Sequence, residues 1–149
     1  KFPTSSPVRD SVLHELLVQA HQVADHINSV CEKTGMSLAL TRALQFISLA
    51  ENSVTPSELS DELGRSPAAT SSLIKRLITD ESVVAVVNPN DRRSFRISPT
   101  KLGIKKWRQI EPVLTDLETK INGGYGVKRL NSLASDLGDL KATVKASIG

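Results

Sequence analysis

Several things are missing from this sequence, and each absence removes a class of function. Cysteine occurs once, at Cys31. One thiol forms no intramolecular disulfide, so a reducing compartment, the cytoplasm, is the expected setting. The longest uninterrupted apolar stretch is Val83–Val87, against roughly 20 residues for a membrane-spanning helix. No basic-then-apolar segment opens the chain, and no membrane role is expected. No Ser-His-Asp arrangement or metal-ligand spacing stands out. Gly123-Gly124-Tyr125-Gly126 is too short for a phosphate-cradling loop and lacks a preceding strand. Neither catalysis nor a bound cofactor is expected. Histidine is confined to His14, His21 and His26. His14 and His21 stand two helical turns apart, too far to chelate one ion, so no metal site is expected either.

What is present fits one globular domain. The chain has 149 residues, 39% of them apolar and 23% charged, enough to bury a core without staples. Its net charge of +3 is unevenly spread. Residues 64–108 hold ten Lys/Arg and three acids, a local charge of +7, while the remainder carries −4. A basic middle between acidic flanks implies a surface that meets a polyanion, with an ordinary solvated face as the alternative.

Lys1–Pro7 reads as an irregular lead-in, and helical spacing begins at Val8. Leu13, Leu16, Ala20, Val23, Ile27 and Val30 recur at steps of three and four, with Leu17, Ala24 and Cys31 widening the stripe. Gly35 supplies a helix-ending glycine. A second helix runs from about Ser37 to about Glu51. Thr55-Pro56-Ser57-Glu58 is then a capping box with proline in the first turn. Gly64-Arg65 makes a turn, and Ser66-Pro67 repeats the cap-plus-proline start. Thr70, Leu73, Ile74 and Leu77 mark the buried face of the helix that follows. Two helices joined by a glycine turn are a helix-turn-helix pattern, although a generic helical hairpin has the same outline.

The next segment favours the first reading. Val83–Val87 is a β-branched run, Asn88-Pro89-Asn90-Asp91 is turn chemistry, and Ser94–Ser98 resumes an extended pattern. Phe95 and Ile97 should face one way and Arg96 the other. A hairpin with arginines at its tip, directly after a helix-turn-helix, is a winged helix; a hairpin that merely covers the core is the alternative. Thr100 then caps a helix carrying Trp107, Ile110, Leu114, Leu117 and Ile121, which Pro112 should kink or split. Residues 122–126 break the chain before a last helix with Leu130, Leu133, Leu137, Leu140 and Val144 on one seam. These seams, with Leu13, Leu16 and Leu17 on the first helix, imply a helical layer shared between two subunits. The expected fold is mainly α with a small β-hairpin wing: a winged helix-turn-helix plus a helical dimerisation layer. Its expected parts are an N-terminal dimerisation helix (1–35), a DNA-binding region (36–99) and C-terminal dimerisation helices (100–149), interwoven as one domain.

Thr55–Leu63, Ser66–Leu77, the wing Asn88-Pro89-Asn90-Asp91-Arg92-Arg93 and Thr100-Lys101-Leu102-Gly103 together resemble the MarR family of transcriptional regulators. The resemblance implies a homodimer with one winged helix per subunit, bound to double-stranded DNA at a pseudo-palindromic operator. It also implies a small-molecule effector site between the dimer layer and the winged helix, for which Arg42 and the first-helix histidines are available. A repressor is the expected outcome. Three departures stand out: Glu81 where the family has a helix-ending glycine, Ala85 for a basic wing residue, and Ser60 for an alanine.

If the recognition helix lies in the major groove, its exposed face is Ser66, Pro67, Ala68, Ser71, Ser72, Lys75 and Arg76. Ser71 and Ser72 then reach base edges and Ala68 a thymine methyl. Lys75, Arg76 and Ser66 meet phosphates. No Asn, Gln or Arg stands on the first two turns, so direct readout is modest and DNA shape carries more. The family's wing motif implies that Arg93 enters the minor groove, oriented by a charge-assisted bond from Asp91, with Arg92 nearer the phosphates. The competing readings are a winged helix that binds only protein, or a regulator that senses through Cys31 or a metal.

Overall fold

A computed structural model describes residues 11–149; the lead-in and the expected helix start at Val8 lie outside the described residues. The chain folds in the order α1 (Val12–Glu32), α2 (Leu38–Leu49), α3 (Pro56–Leu63), α4 (Pro67–Thr79), β1 (Val83–Asn88), β2 (Asp91–Pro99), α5 (Lys101–Gly124) and α6 (Val127–Ile148). It forms two compact units, Lys1–Glu111 and Pro112–Gly149. The mainly α fold with a two-stranded wing is as the periodicity predicts. No helix among the described residues is long and apolar enough to cross a membrane.

Each helix in the first unit starts where a side chain takes over an orphan backbone donor. Ser11, Ser37, Thr55 and Ser66 accept from the N–H groups of His14, Leu40, Glu58 and Ala69. At α3 the box is complete, because Glu58 also accepts the Thr55 N–H at 3.2 Å. The core of the unit forms around α2, which packs on α1, α3, α4 and β2. Leu44, Ile47, Leu59, Leu77, Val83 and Ile97 are fully or almost fully buried there, and Trp107 and Ile110 of α5 join them. Of the stripe on α1, only Cys31 is buried.

The wing is larger than the sequence indicated. β1 and β2 pair antiparallel from Val83↔Pro99 to Val87↔Phe95. Val54, which carries no strand signal, adds a bridge to the other edge of β2, with Val54 N–H donating to Ile97 at 2.9 Å and Ile97 N–H returning at 2.7 Å. Ile97 is thereby buried while Arg96 faces the other way, as alternation requires.

The second unit corrects two expectations. α5 is one helix through Pro112 rather than two. A proline forfeits one helical N–H, and the carbonyl it strands, on Arg108, sits on an exposed residue where water can bond it. Nor does the chain break at Asn122. Helix continues to Gly124, with Tyr125 N–H donating to Ile121 at 2.8 Å, and the turn is confined to Tyr125-Gly126, where Gly126 adopts φ 101°. α6 buries none of its residues.

Candidate nucleic-acid interface

The tight turn between α3 and α4 depends on Gly64 at φ 62°, a left-handed conformation that costs glycine nothing. Arg65 N–H donates back to Ser60 at 3.1 Å and Gly64 N–H to Asp61 at 3.3 Å, the paired bonds of a Schellman ending. Beneath the turn, Ser60 Oγ donates to Thr70 Oγ1 at 2.9 Å, and Thr70 Oγ1 donates to the Ser66 carbonyl at 2.9 Å. Ser60 and Thr70 are both buried. Two polar groups that would each be costly alone satisfy one another and fix how α4 crosses α3. Ser60, where the resemblance would put an alanine, is thus half of this contact.

α4 turns Thr70, Ile74 and Leu77 inward, with Leu73 half-buried. Ser66, Pro67, Ala68, Ser71, Ser72, Lys75 and Arg76 are all exposed. The structure therefore brings the seven residues expected of a groove-facing surface onto one open face. Three are already engaged locally: Ser66 Oγ caps α4 by accepting the Ala69 N–H at 3.2 Å. Ser72 Oγ donates to the Ala68 carbonyl at 3.3 Å, and Arg76 Nε pairs with Asp80 Oδ2 at 3.2 Å. An exposed i,i+4 pair of this kind is worth under about 1 kcal/mol, so Arg76 is easily released.

α4 ends against α5 in a way the sequence concealed. Glu81 takes φ 59°, the left-handed conformation reserved elsewhere for glycine. Its N–H donates to Ile78 at 3.0 Å and the Ser82 N–H to Leu77 at 2.9 Å, so the Schellman ending is complete without a glycine. The strain of about 1 kcal/mol is held by α5. Thr100 Oγ1 donates to the Glu81 carbonyl at 2.6 Å and accepts the Gly103 N–H at 3.0 Å. Lys106 Nζ donates to the Asp80 carbonyl at 3.1 Å and to Ser82 Oγ at 2.9 Å. A Cβ built on Gly103 would stand 1.9 Å from the Ser82 carbonyl oxygen, so only glycine allows this approach.

At the wing tip the ladder register slips between Val87 and Asn88, because Asn88 pairs with Asp91. Arg92, Arg93 and Ser94 therefore have no partners on β1 and bulge from the sheet, with both arginines exposed. Asp91 shapes this bulge through the backbone. Its Oδ1 accepts the backbone N–H of Arg93 at 3.0 Å, and its carbonyl accepts Ser94 Oγ at 3.2 Å. The carboxylate thus fixes the loop backbone, and the Arg93 guanidinium forms no ion pair among the described residues. Arg96, counted with the basic stretch, is spent at the wing's base: Nε donates to Ser53 Oγ at 2.8 Å and Nη2 to the Ser53 carbonyl at 2.6 Å. Ser53, Val54, Ser82 and Lys106 were not foreseen, since each acts through a partner distant in sequence.

The residues raised for sensing are placed elsewhere. Cys31 is fully buried, and burial pushes its thiol pKa up, with the Thr41 hydroxyl working weakly the other way. A protonated, enclosed thiol is a poor nucleophile, which removes support for the redox reading. His14, His21 and His26 are exposed on α1, with His21 3.3 Å from Asp25. Arg42 is exposed beside Phe46, Leu49 and Glu62 on the α2–α3 side.

Residues 34–94 match the model of the MarR family. No curated protein sequence matches the chain. Solved structures share its fold. The M. tuberculosis transcriptional regulator MosR, solved in complex with DNA, is 18% identical, covers 93% of this chain and 98% of its own, and superposes with TM-score 0.76. A MarR family regulator from Neisseria meningitidis is 18% identical over 93% of this chain and 96% of its own, with TM-score 0.78. CouR from Rhodococcus jostii RHA1, solved with p-coumaroyl-CoA, is 18% identical over 91% of this chain and 95% of its own, with TM-score 0.72.

Proposed function

From the MarR match over residues 34–94 and the geometry of α4 and the wing, we propose that this chain is a sequence-specific, double-stranded DNA-binding transcriptional regulator. It is not an enzyme. It acts in the cytoplasm as a homodimer on a pseudo-palindromic operator, as a repressor released by a small-molecule effector. The observation that carries the reading is a polar face on α4 beside a register-slipped wing tip that exposes Arg92 and Arg93, whose guanidinium groups pair with no carboxylate among the described residues.

Each part of that surface has a physical task. Ser71 and Ser72 contact base edges and Ala68 a thymine methyl, while Lys75, Arg76 and Ser66 meet phosphates. Arg93 enters a narrow minor groove, where the negative potential is strongest, and Arg92 lies along the backbone. The bulge anchored by Asp91 holds both arginines outside the ladder, which lowers the cost of ordering them on binding. The seam residues of α6, Leu130, Leu133, Leu137, Leu140 and Val144, are 37–46% exposed. Leu13 and Leu17 of α1 are more exposed still, and Leu16 is half-buried. Packing within one chain leaves these seams uncovered, which supports a second copy as their cover.

Fluorescence anisotropy with duplexes from upstream of the protein's own gene, titrated against salt, tests the reading. Arg93→Ala should weaken binding and reduce the salt slope by about 1 per arginine lost. Absence of binding at low salt would instead leave a winged helix devoted to protein contacts.

A further inference from the structure

The hydrogen bonds that tie the wing to the body of the first unit stop well short of its tip. On β2 the outermost are those of Ile97 with Val54 and of Arg96 with Ser53. From Phe95 to the tip, and along β1 from Val84 to Val87, the described residues bond only within the hairpin. Arg96 is half-buried, and its fork grips one residue twice, Nε on Ser53 Oγ at 2.8 Å and Nη2 on the Ser53 carbonyl at 2.6 Å. Both acceptors are neutral, and Arg96 forms no ion pair among the described residues. Two coplanar donors on one edge of a guanidinium fix an angle as well as a distance, which a single donor does not. The gripped residue is itself anchored. Ser53 adjoins Val54, which bridges Ile97, and precedes Thr55, which caps α3. α3 in turn is joined to α4 through Ser60 and Thr70.

We infer that Arg96 is a positioning residue for DNA binding: its two-point grip on Ser53 sets the tilt of the wing relative to α4. It thereby brings Arg92 and Arg93 to the minor groove while α4 occupies the major one. The placement on DNA rests on the DNA-binding reading above; the clamp itself does not. A strand advances about 3.3 Å per residue, so Arg93 lies about 10 Å along the chain from the clamp. A tilt of about 10° at that point carries the tip by roughly 2 Å, beyond the ~0.5 Å within which a binding group has to be held. Because Ser53 engages its guanidinium, Arg96 acts through the tip arginines and not by touching the duplex.

A double-mutant cycle in fluorescence anisotropy separates positioning from contact. Arg96→Ala should weaken DNA binding about fivefold or more in the wild type. Where Arg92→Ala and Arg93→Ala have already removed the tip, it should cost less than about twofold. Arg96→Lys, which keeps the charge but not the fork, should fail to restore affinity. Ser53→Ala, which changes no charge, should weaken binding by about twofold or more. Equal losses with and without the tip arginines, full affinity in Arg96→Lys, or an unchanged Ser53→Ala overturns the positioning. Amide hydrogen exchange reads the clamp without DNA. In Arg96→Ala the amides of Val54 and Ile97 should exchange about tenfold faster, while those of α2 and α4 keep their wild-type rates. No rise at Val54 and Ile97, or a uniform rise across the unit, overturns the clamp. If the wild type fails to bind DNA at all, the regulatory reading falls, while exchange still decides the clamp.

Discussion

The two compact units differ in what they do with their leucines. In the first, Leu44, Leu59 and Leu77 are wholly enclosed. In the second, Leu130, Leu133, Leu137 and Leu140 recur with equal regularity and none is buried. Burial of a leucine contributes about 1.5–3 kcal/mol, so the first unit draws its stability from its own chain and α6 does not. Identical helical periodicity thus encodes two outcomes: a core where other elements close over the stripe, and an open surface where none do.

The sharpest way to break this contrast is to disrupt one leucine from each set. Leu137→Asp should abolish assembly into dimers, read by sedimentation, and take operator binding with it, because a charge in a shared apolar seam finds no partner. The same variant should make the melting temperature independent of protein concentration. Leu44→Ala should instead cost about 3 kcal/mol at every concentration, read by chemical denaturation, because it leaves a cavity in a closed core.

A smaller change tests the junction between α4 and α5. Gly103→Ala places a methyl against the Ser82 carbonyl and should destabilise the first unit by about 2–3 kcal/mol, with DNA affinity falling as α4 shifts. The smallest effect has the opposite sign. Glu81→Gly relieves a left-handed glutamate and should stabilise by about 1 kcal/mol in thermal melts. Comparison with Gly64, where the same ending already has its glycine, makes the point: Gly64→Ala should cost about what Glu81→Gly gains.

Much of the fold was legible from residue order because its signals are local. A capping serine or threonine followed by proline marks a helix start within one turn, and β-branched runs around Asn88–Asp91 mark a hairpin. The exposed face of α4 was legible for the same reason, since burying Thr70, Ile74 and Leu77 leaves the opposite face no choice but solvent. What escaped notice were contacts across the chain. Ser60 with Thr70, Arg96 with Ser53, Lys106 with Asp80 and Ser82, and the Val54 bridge to Ile97 join residues with no shared periodicity. A bond between Asp91 and Arg93 was legible as a pairing of neighbours, but a carboxylate near an arginine can take either its guanidinium or its backbone, and the tertiary structure shows the backbone N–H.

Sequence alone determined where helices begin, which stripes are apolar and that positive charge gathers between residues 64 and 108. Those properties follow from neighbours within one or two turns. The tertiary structure decided which arginines stay free, which stripe closes into a core, and that Glu81 is held in a glycine's conformation by Thr100 and its surroundings. Such outcomes depend on which distant segments meet, and hydrogen bonds or burial at that range are settled only when the whole unit packs.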